Sequence, residues 1–154
     1  NIILHSNKFD VQIKTSNVLD LFAGVGSFGL ECLSRDASYV TFIENYKEVL
    51  TILKKNIINL NYLEKSKIIQ KNIFNELDFH IFESKFDIIF IDPPYKEKNL
   101  YELLKKIFDA KILNEEGIII IHRHKNEKDE FHKLFNTIEE KNYGISKIIF
   151  GKFF

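Results

Sequence analysis

A chain of 154 residues with 45% hydrophobic and 29% charged side chains has the make-up of one ordinary globular domain, spanning residues 1–154, and is long enough to bury a substantial core. Its 22 Lys and Arg balance its 22 Asp and Glu, which excludes an overall basic footprint, so any nucleic-acid surface is a local patch or lies on a further segment. The single cysteine, Cys32, excludes an internal disulfide framework, and no apolar run approaches the roughly 18 residues of a membrane helix, so a cytoplasmic location is expected.

The chain opens without Met at Asn1-Ile2-Ile3-Leu4, in mid-pattern, and reads as a piece of a longer protein. Residues 18–22 are the first short β-rich apolar run. They lead straight into Asp20-Leu21-Phe22-Ala23-Gly24-Val25-Gly26-Ser27-Phe28-Gly29, where Gly24, Gly26 and Gly29 form G-x-G-x-x-G between a strand and a helix. Glycines there let the backbone approach a ligand without Cβ obstruction. Cys32, between Leu30 and Leu33, reads as a buried helix residue. The second strand, residues 39–43, ends at Glu44, 20 residues after Gly24. A carboxylate at that distance can accept both hydroxyls of a cofactor ribose. Asp20 bears on which cofactor: beside a helix N-terminus it would repel the pyrophosphate of a dinucleotide, whereas S-adenosylmethionine has no phosphate and carries an ammonium that an acid stabilises. NAD is the competing reading.

Val49, Leu50, Leu53, Ile57 and Leu60 recur at helical steps, and a third strand follows at 67–70. The apolar strand 86–91 stops at Asp92-Pro93-Pro94-Tyr95. Two prolines remove two backbone donors and fix two φ angles, making a rigid corner that holds an aromatic at the carboxyl end of the sheet. A strand-ending turn would account for Asp-Pro alone; a chemistry that accounts for every residue of the corner is transfer to an exocyclic amine. Its two N–H groups donate to the Asp92 carboxylate and the Pro93 carbonyl, which turns the nitrogen lone pair toward a methyl donor, and Tyr95 offers a face to a base taken out of its stack. A helix is predicted around Leu100, Leu103, Leu104 and Ile107, a strand at 118–121, and a last helix around Phe131, Leu134, Phe135 and Ile138. His122-Arg123-His124 reads as a solvated strand end rather than a metal site, with Arg123 a minor candidate for a phosphate contact; no metal is expected. Tyr143-Gly144 is a turn signal before two final strands at 146–150 and 152–154. Strands alternating with helices predict an α/β fold, a mostly parallel sheet with helices on both faces and an antiparallel edge.

Val18 to Gly24, Gly29-Leu30-Glu31-Cys32-Leu33-Ser34-Arg35, Phe42-Ile43-Glu44 and Phe86 to Tyr95 together resemble the bacterial 16S ribosomal RNA guanine-N2 methyltransferase family, within the class I S-adenosylmethionine-dependent methyltransferases. The resemblance implies a Rossmann-like fold. It implies cofactor contacts at Asp20, Phe22, Ala23, Gly24, Gly26, Glu44, Asn45, Asn72 and Ile73, and a methyl-acceptor corner at Asp92, Pro93, Pro94 and Tyr95. It implies transfer to the N2 amine of a guanine in ribosomal RNA or the small ribosomal subunit, by a monomer. Family members usually carry Asp where this chain has Asn72, whose carbonyl oxygen can meet the adenine amino group, and tend to carry an acid at His122. The family's basic N-terminal segment would lie upstream, with Asn1 to Leu4 as its last helical turn. DNA adenine or protein glutamine methylation, and a non-catalytic remnant of the fold, are the other readings.

Overall fold

The structure is a computed structural model that describes residues 13–154; the helical turn expected at Asn1 to Leu4 lies outside these residues. Seven strands form one sheet: β1 Asn17–Leu21, β2 Tyr39–Ile43, β3 Ser66–Ile69, β4 Phe86–Ile91, β5 Leu113–His124, β6 Phe135–Tyr143 and β7 Ser146–Phe153, in the order β3-β2-β1-β4-β5-β7-β6. Strands β1 to β5 run parallel, while β7 is antiparallel to both β5 and β6. The helices are α1 Ser27–Ser34, α2 Lys47–Asn59 and α3 Leu100–Ala110.

Side chains alternate across a strand, so neighbours in sequence part to opposite faces. Val18, Ile88, Ile118 and Ile120 meet Cys32 and Leu33 of α1 and Leu50, Leu53 and Ile57 of α2. Leu19, Ile89, Ile91, Ile119 and Ile121 meet Leu100, Leu103, Leu104 and Ile107 of α3. Burying a Leu or Ile contributes roughly 1.5–3 kcal/mol, so the i, i+3, i+4, i+7 stripe of α3 holds that helix on the sheet. The central strands are buried on both faces, which is why they read as unbroken apolar runs. The strand order reverses between β1 and β4, and the crevice beyond the carboxyl ends of these strands is where open α/β sheets take ligands.

The carboxyl-terminal part differs from the helix predicted around Phe131, Leu134, Phe135 and Ile138. Residues 135–143 form β6 instead, paired along their length with β7. Phe131 packs edge-on against Phe135 across the turn at 133–134, with ring centroids 5.2 Å apart, so apolar residues four apart meet here without a helix. Pairing with a neighbouring strand overrides a short local pattern. The two final strands expected at 146–150 and 152–154 are one. Gly151 does not break β7, because its missing Cβ makes room for the Phe135 ring, whose Cζ would lie 2.3 Å from it. The turn at Tyr143-Gly144 is present, with Gly144 at φ 56°. A register shift between Thr137 and Glu139 puts a bulge in β6, the outermost strand.

Candidate active site

The chain leaves β1 through Phe22, at φ 60°, and passes Gly24 at 58° and Gly26 at 92° before α1 begins. Three left-handed residues in five turn the loop back over the sheet, where Ala23 N–H donates to the Ile43 carbonyl at 3.0 Å. The three glycines do different work. A Cβ on Gly24 would meet nothing within 4 Å, so this stretch of backbone is bared to the crevice. On Gly26 it would come within 2.5 Å of the Leu53 side chain, and on Gly29 within 2.4 Å of the Phe42 ring. Gly29 therefore lets α1 close on β2 rather than admitting a ligand.

Asp20 is 1% exposed. Its Oδ2 accepts the Gly29 N–H at 3.1 Å, and its Oδ1 is buried with no partner among the described residues. Burial pushes its pKa up to about 8, opposed by the Gly29 hydrogen bond and reinforced by the charges of Asp92 and Glu44. A buried oxygen lacking a donor, beside bare loop backbone, fits an ammonium group. The sign for stability follows. An acid whose pKa is higher in the fold than in the unfolded chain stabilises the fold fully below about 3.8, and loses that contribution as pH rises through about 8. Asp20→Asn is therefore expected to raise Tm relative to wild type by an amount that grows from pH 4 to pH 8 and is level above. Thermal unfolding across that range checks it; a constant difference would contradict the buried neutral acid.

Glu44 is 7% exposed. Its Oε2 accepts from Gly24 N–H at 2.7 Å, and its Oε1 from Asn45 and Tyr46 N–H at 2.7 and 3.0 Å. Three of its four or so acceptor positions are thus taken. One acceptor position is left for a ligand, where both hydroxyls of a ribose were expected from sequence. Asn72 also departs from expectation. Its Oδ1 accepts from Phe74 and Asn75 N–H, both at 3.0 Å, closing a turn of its own as Asn side chains do. What it can offer a ligand is its NH2, a partner for a ring nitrogen rather than for an amino group.

Phe22, Glu44, Asn45, Asn72 and Ile73 line one cleft of about 130 Å³, together with Tyr46, Phe74 and, from the corner, Pro94 and Glu97. The aromatic walls Tyr46 and Phe74 are not among the sequence candidates, though each follows one of them by one or two positions. The volume suits one planar ring system. Ligand clefts usually hold roughly 300–1,000 Å³, so this cleft alone is smaller than a whole nucleoside site, and the exposed Tyr46 and half-buried Phe22 form part of its wall.

At the end of β4, the Asp92 N–H donates to the Leu21 carbonyl at 3.4 Å, which ties the corner to β1. Asp92 Oδ1 lies 2.8 Å from His122 Nδ1. Pro93 is buried, Pro94 and Tyr95 are exposed, and the Tyr95 ring stands edge-on to His124 with centroids 5.7 Å apart. Arg123 is not solvated. It is 1% exposed on the face of β5 that carries Ile119 and Ile121, and it forks onto Asp129 through Nε and Nη2 at 2.9 Å each. It also donates to the Pro94 and Glu97 carbonyls at 3.2 and 2.8 Å, pinning the segment that carries Tyr95. Strand alternation through 119, 121 and 123 was the signal for this role. A larger cleft of about 630 Å³ opens on the α1 side, with Phe28, Phe90 and His122 in its wall. Cys32 borders it too, but burial, with Asp20 and Glu31, pushes its thiol up to about 12, which leaves it unreactive. Among the described residues no group of three or more His, Cys, Asp or Glu is arranged to hold a metal ion, and no helix is long and apolar enough to cross a membrane.

The model of a protein family described as conserved hypothetical protein 95 matches residues 3–152. The chain is 36% identical over 115 residues to the ribosomal RNA small subunit methyltransferase D of Buchnera aphidicola, covering 75% of this chain and 59% of the relative. It is 31% identical over 134 residues to the protein of the same name from Haemophilus influenzae, covering 86% of this chain and 69% of that one. A solved structure of a candidate methylase from Haemophilus influenzae superposes with a TM-score of 0.76 at 30% identity, covering 90% of this chain and 87% of that one. The chain thus spans 59% and 69% of the two curated relatives' lengths.

Proposed function

The chain belongs to the conserved hypothetical protein 95 family, and from that premise we propose that it is an S-adenosylmethionine-dependent methyltransferase that methylates the N2 amine of a guanine in 16S ribosomal RNA. It acts as a monomer in the cytoplasm, on ribosomal RNA or the small subunit. The observation that carries the reading is that Pro94 of the corner shares a cleft with Glu44 and Asn72, while Asp20, whose Oδ1 has no partner among the described residues, is bonded to Gly29 of the glycine motif. Donor and acceptor groups would therefore meet across one wall.

When bound, the cofactor supplies an electrophilic methyl on a sulfonium. The chain's own residues do the rest. Asp20 would take the ammonium, the bare backbone at Gly24 would border the donor, and Asn72, Ile73 and Phe74 would flank the adenine. An exocyclic amine is a poor nucleophile because its lone pair is delocalised into the ring. Asp92 and the Pro93 carbonyl would accept its two N–H groups, hold the lone pair toward the donor, and stabilise positive charge as the N–C bond forms and the S–C bond breaks, a neutral thioether leaving and the surplus N–H proton passing to solvent. Tyr95 stacks on the extruded base, a contact worth roughly 1–3 kcal/mol. The Phe28- and Phe90-lined cleft beside His122 gives a flat ring room to lie. With Arg123 buried, phosphate contacts fall to exposed lysines, and RNA affinity should drop steeply as salt rises.

The test is incubation with labelled S-adenosylmethionine and small ribosomal subunits, naked RNA or DNA, followed by nucleoside analysis. Label in N2-methylguanosine is expected; label in adenine or cytosine would assign another target, and no transfer to any of them would remove the reading. In calorimetry the demethylated cofactor should bind and NAD should not. Glu44→Ala should weaken that binding by about 1–3 kcal/mol, the worth of a charged hydrogen bond plus the loop geometry it holds. Unchanged affinity would move the ribose contact elsewhere.

A further inference from the structure

Asp92 is the side chain on which the proposed transfer turns, and its carboxylate is not free to rotate. The Nδ1 of His122, at the end of the neighbouring strand β5, lies 2.8 Å from its Oδ1. The His side chain is 27% exposed and the Asp side chain 44%, so the contact sits at the mouth of the site rather than in the core. β4 and β5 are in register through Ile91 and Ile121, which brings the next residue of each strand, 92 and 122, side by side.

Resting on the methyl-transfer reading above, we propose that His122 is the positioning residue for Asp92: its Nδ1–H donates to Asp92 Oδ1 and so turns Oδ2 toward the acceptor amine. A carboxylate held by one donor presents its second oxygen in a fixed direction, which is what alignment of a lone pair demands. The same contact makes the site sensitive to protonation. With His122 neutral, the pair carries one negative charge and stabilises the cationic nitrogen that develops during transfer. With His122 protonated, the pair is neutral and that stabilisation is largely cancelled.

Among the described residues, Asp92 from the end of β4 is the group bonded to the ring, Glu31 and Arg35 of α1 and Tyr143 of β6 line the same cleft as His122, and its partner on β7, Ile148, is uncharged. Glu31 and Arg35 pair with each other at 2.9 Å, and His124 lies two residues on, against Tyr95. The Asp92 hydrogen bond is the largest influence on the ring and raises its pKa above the ordinary 6.5, against partial burial, with the Asp92 charge adding to the rise. Turnover is therefore expected to rise with pH through a value above 6.5.

Two measurements test this. The first follows the His122 ring by NMR titration of the chain without substrate: it should titrate above 6.5, and return toward that value in Asp92→Asn, where the acceptor loses its charge. The second compares pH profiles of kcat. His122→Ala should lower kcat about tenfold at pH 8.5, the worth of one hydrogen bond, with cofactor affinity unchanged. His122→Gln, whose amide can still donate, should recover most of that loss but show no rise with pH in the histidine range. An Asp92-independent titration of His122, or a His122→Ala variant with wild-type kcat across pH, would overturn the proposal. Absence of methyl transfer by the wild-type chain would instead remove the reading under Proposed function, and the ring titration would then decide the His122–Asp92 pair by itself.

Discussion

Asp92→Ala is expected to lower kcat by about 10²–10³-fold, the usual cost of removing one preorganised group aimed at developing charge, while the dissociation constant for S-adenosylmethionine changes less than about twofold. The split follows from position. Asp92 does not line the cleft that gathers Glu44, Asn72 and Phe22, and its interaction with the amine strengthens only as the methyl moves. Single-turnover methylation alongside calorimetric binding checks both halves. Near-normal turnover would put the acceptor contact elsewhere; a parallel loss of cofactor affinity would make Asp92 a structural support of the whole crevice.

Arg123→Ala is expected to cost roughly 3–5 kcal/mol, because removing one member of a buried pair strands the other. Asp129, whose side chain is 4% exposed, would be left charged without its fork, and the Pro94 and Glu97 carbonyls would lose their donor. At about 2–4 °C per kcal/mol for a domain of this size, Tm should fall by about 6–20 °C. Arg123→Lys should recover little, since an ammonium cannot make the two-pronged contact, whereas pairing Arg123→Met with Asp129→Leu should recover much of the loss. A fall of only one or two degrees would mean that the corner is held by its prolines alone.

The parallel half of the fold was legible because its strands are buried on both faces and its helices carry one apolar stripe each, so periodicity and burial agree. The antiparallel half was not. Phe131, Leu134 and Phe135 mimic a helix face, and only pairing with β7 decides that residues 135–143 are extended; such long-range pairing leaves no trace in a short window. The same division runs through the site. Residues chosen for cofactor contact do converge at the carboxyl ends of β1, β2 and β3, because a glycine loop and an acid at fixed spacing encode local geometry. What sequence could not supply is which hydrogen bonds each polar side chain spends on its own backbone. Glu44 spends three acceptor positions and Asn72 its Oδ1 on neighbouring N–H groups, and Arg123 looked solvated until alternation along β5 turned it inward.

The bulge in β6 has a bearing on self-association. An outermost strand offers unpaired N–H and C=O groups on which another sheet can grow. Here the interruption between Thr137 and Glu139 falls where Glu139, Glu140 and Lys141 follow in succession, so irregular backbone and charge interrupt the template together. The opposite border is β3, only four residues long and carrying the exposed Lys67. Both flanks of the sheet are thus poor seeds for stacking into fibrils, and concentrated preparations should precipitate, when they do, through the exposed apolar side chains of Ile52, Ile58, Leu60 and Leu63 rather than edge to edge.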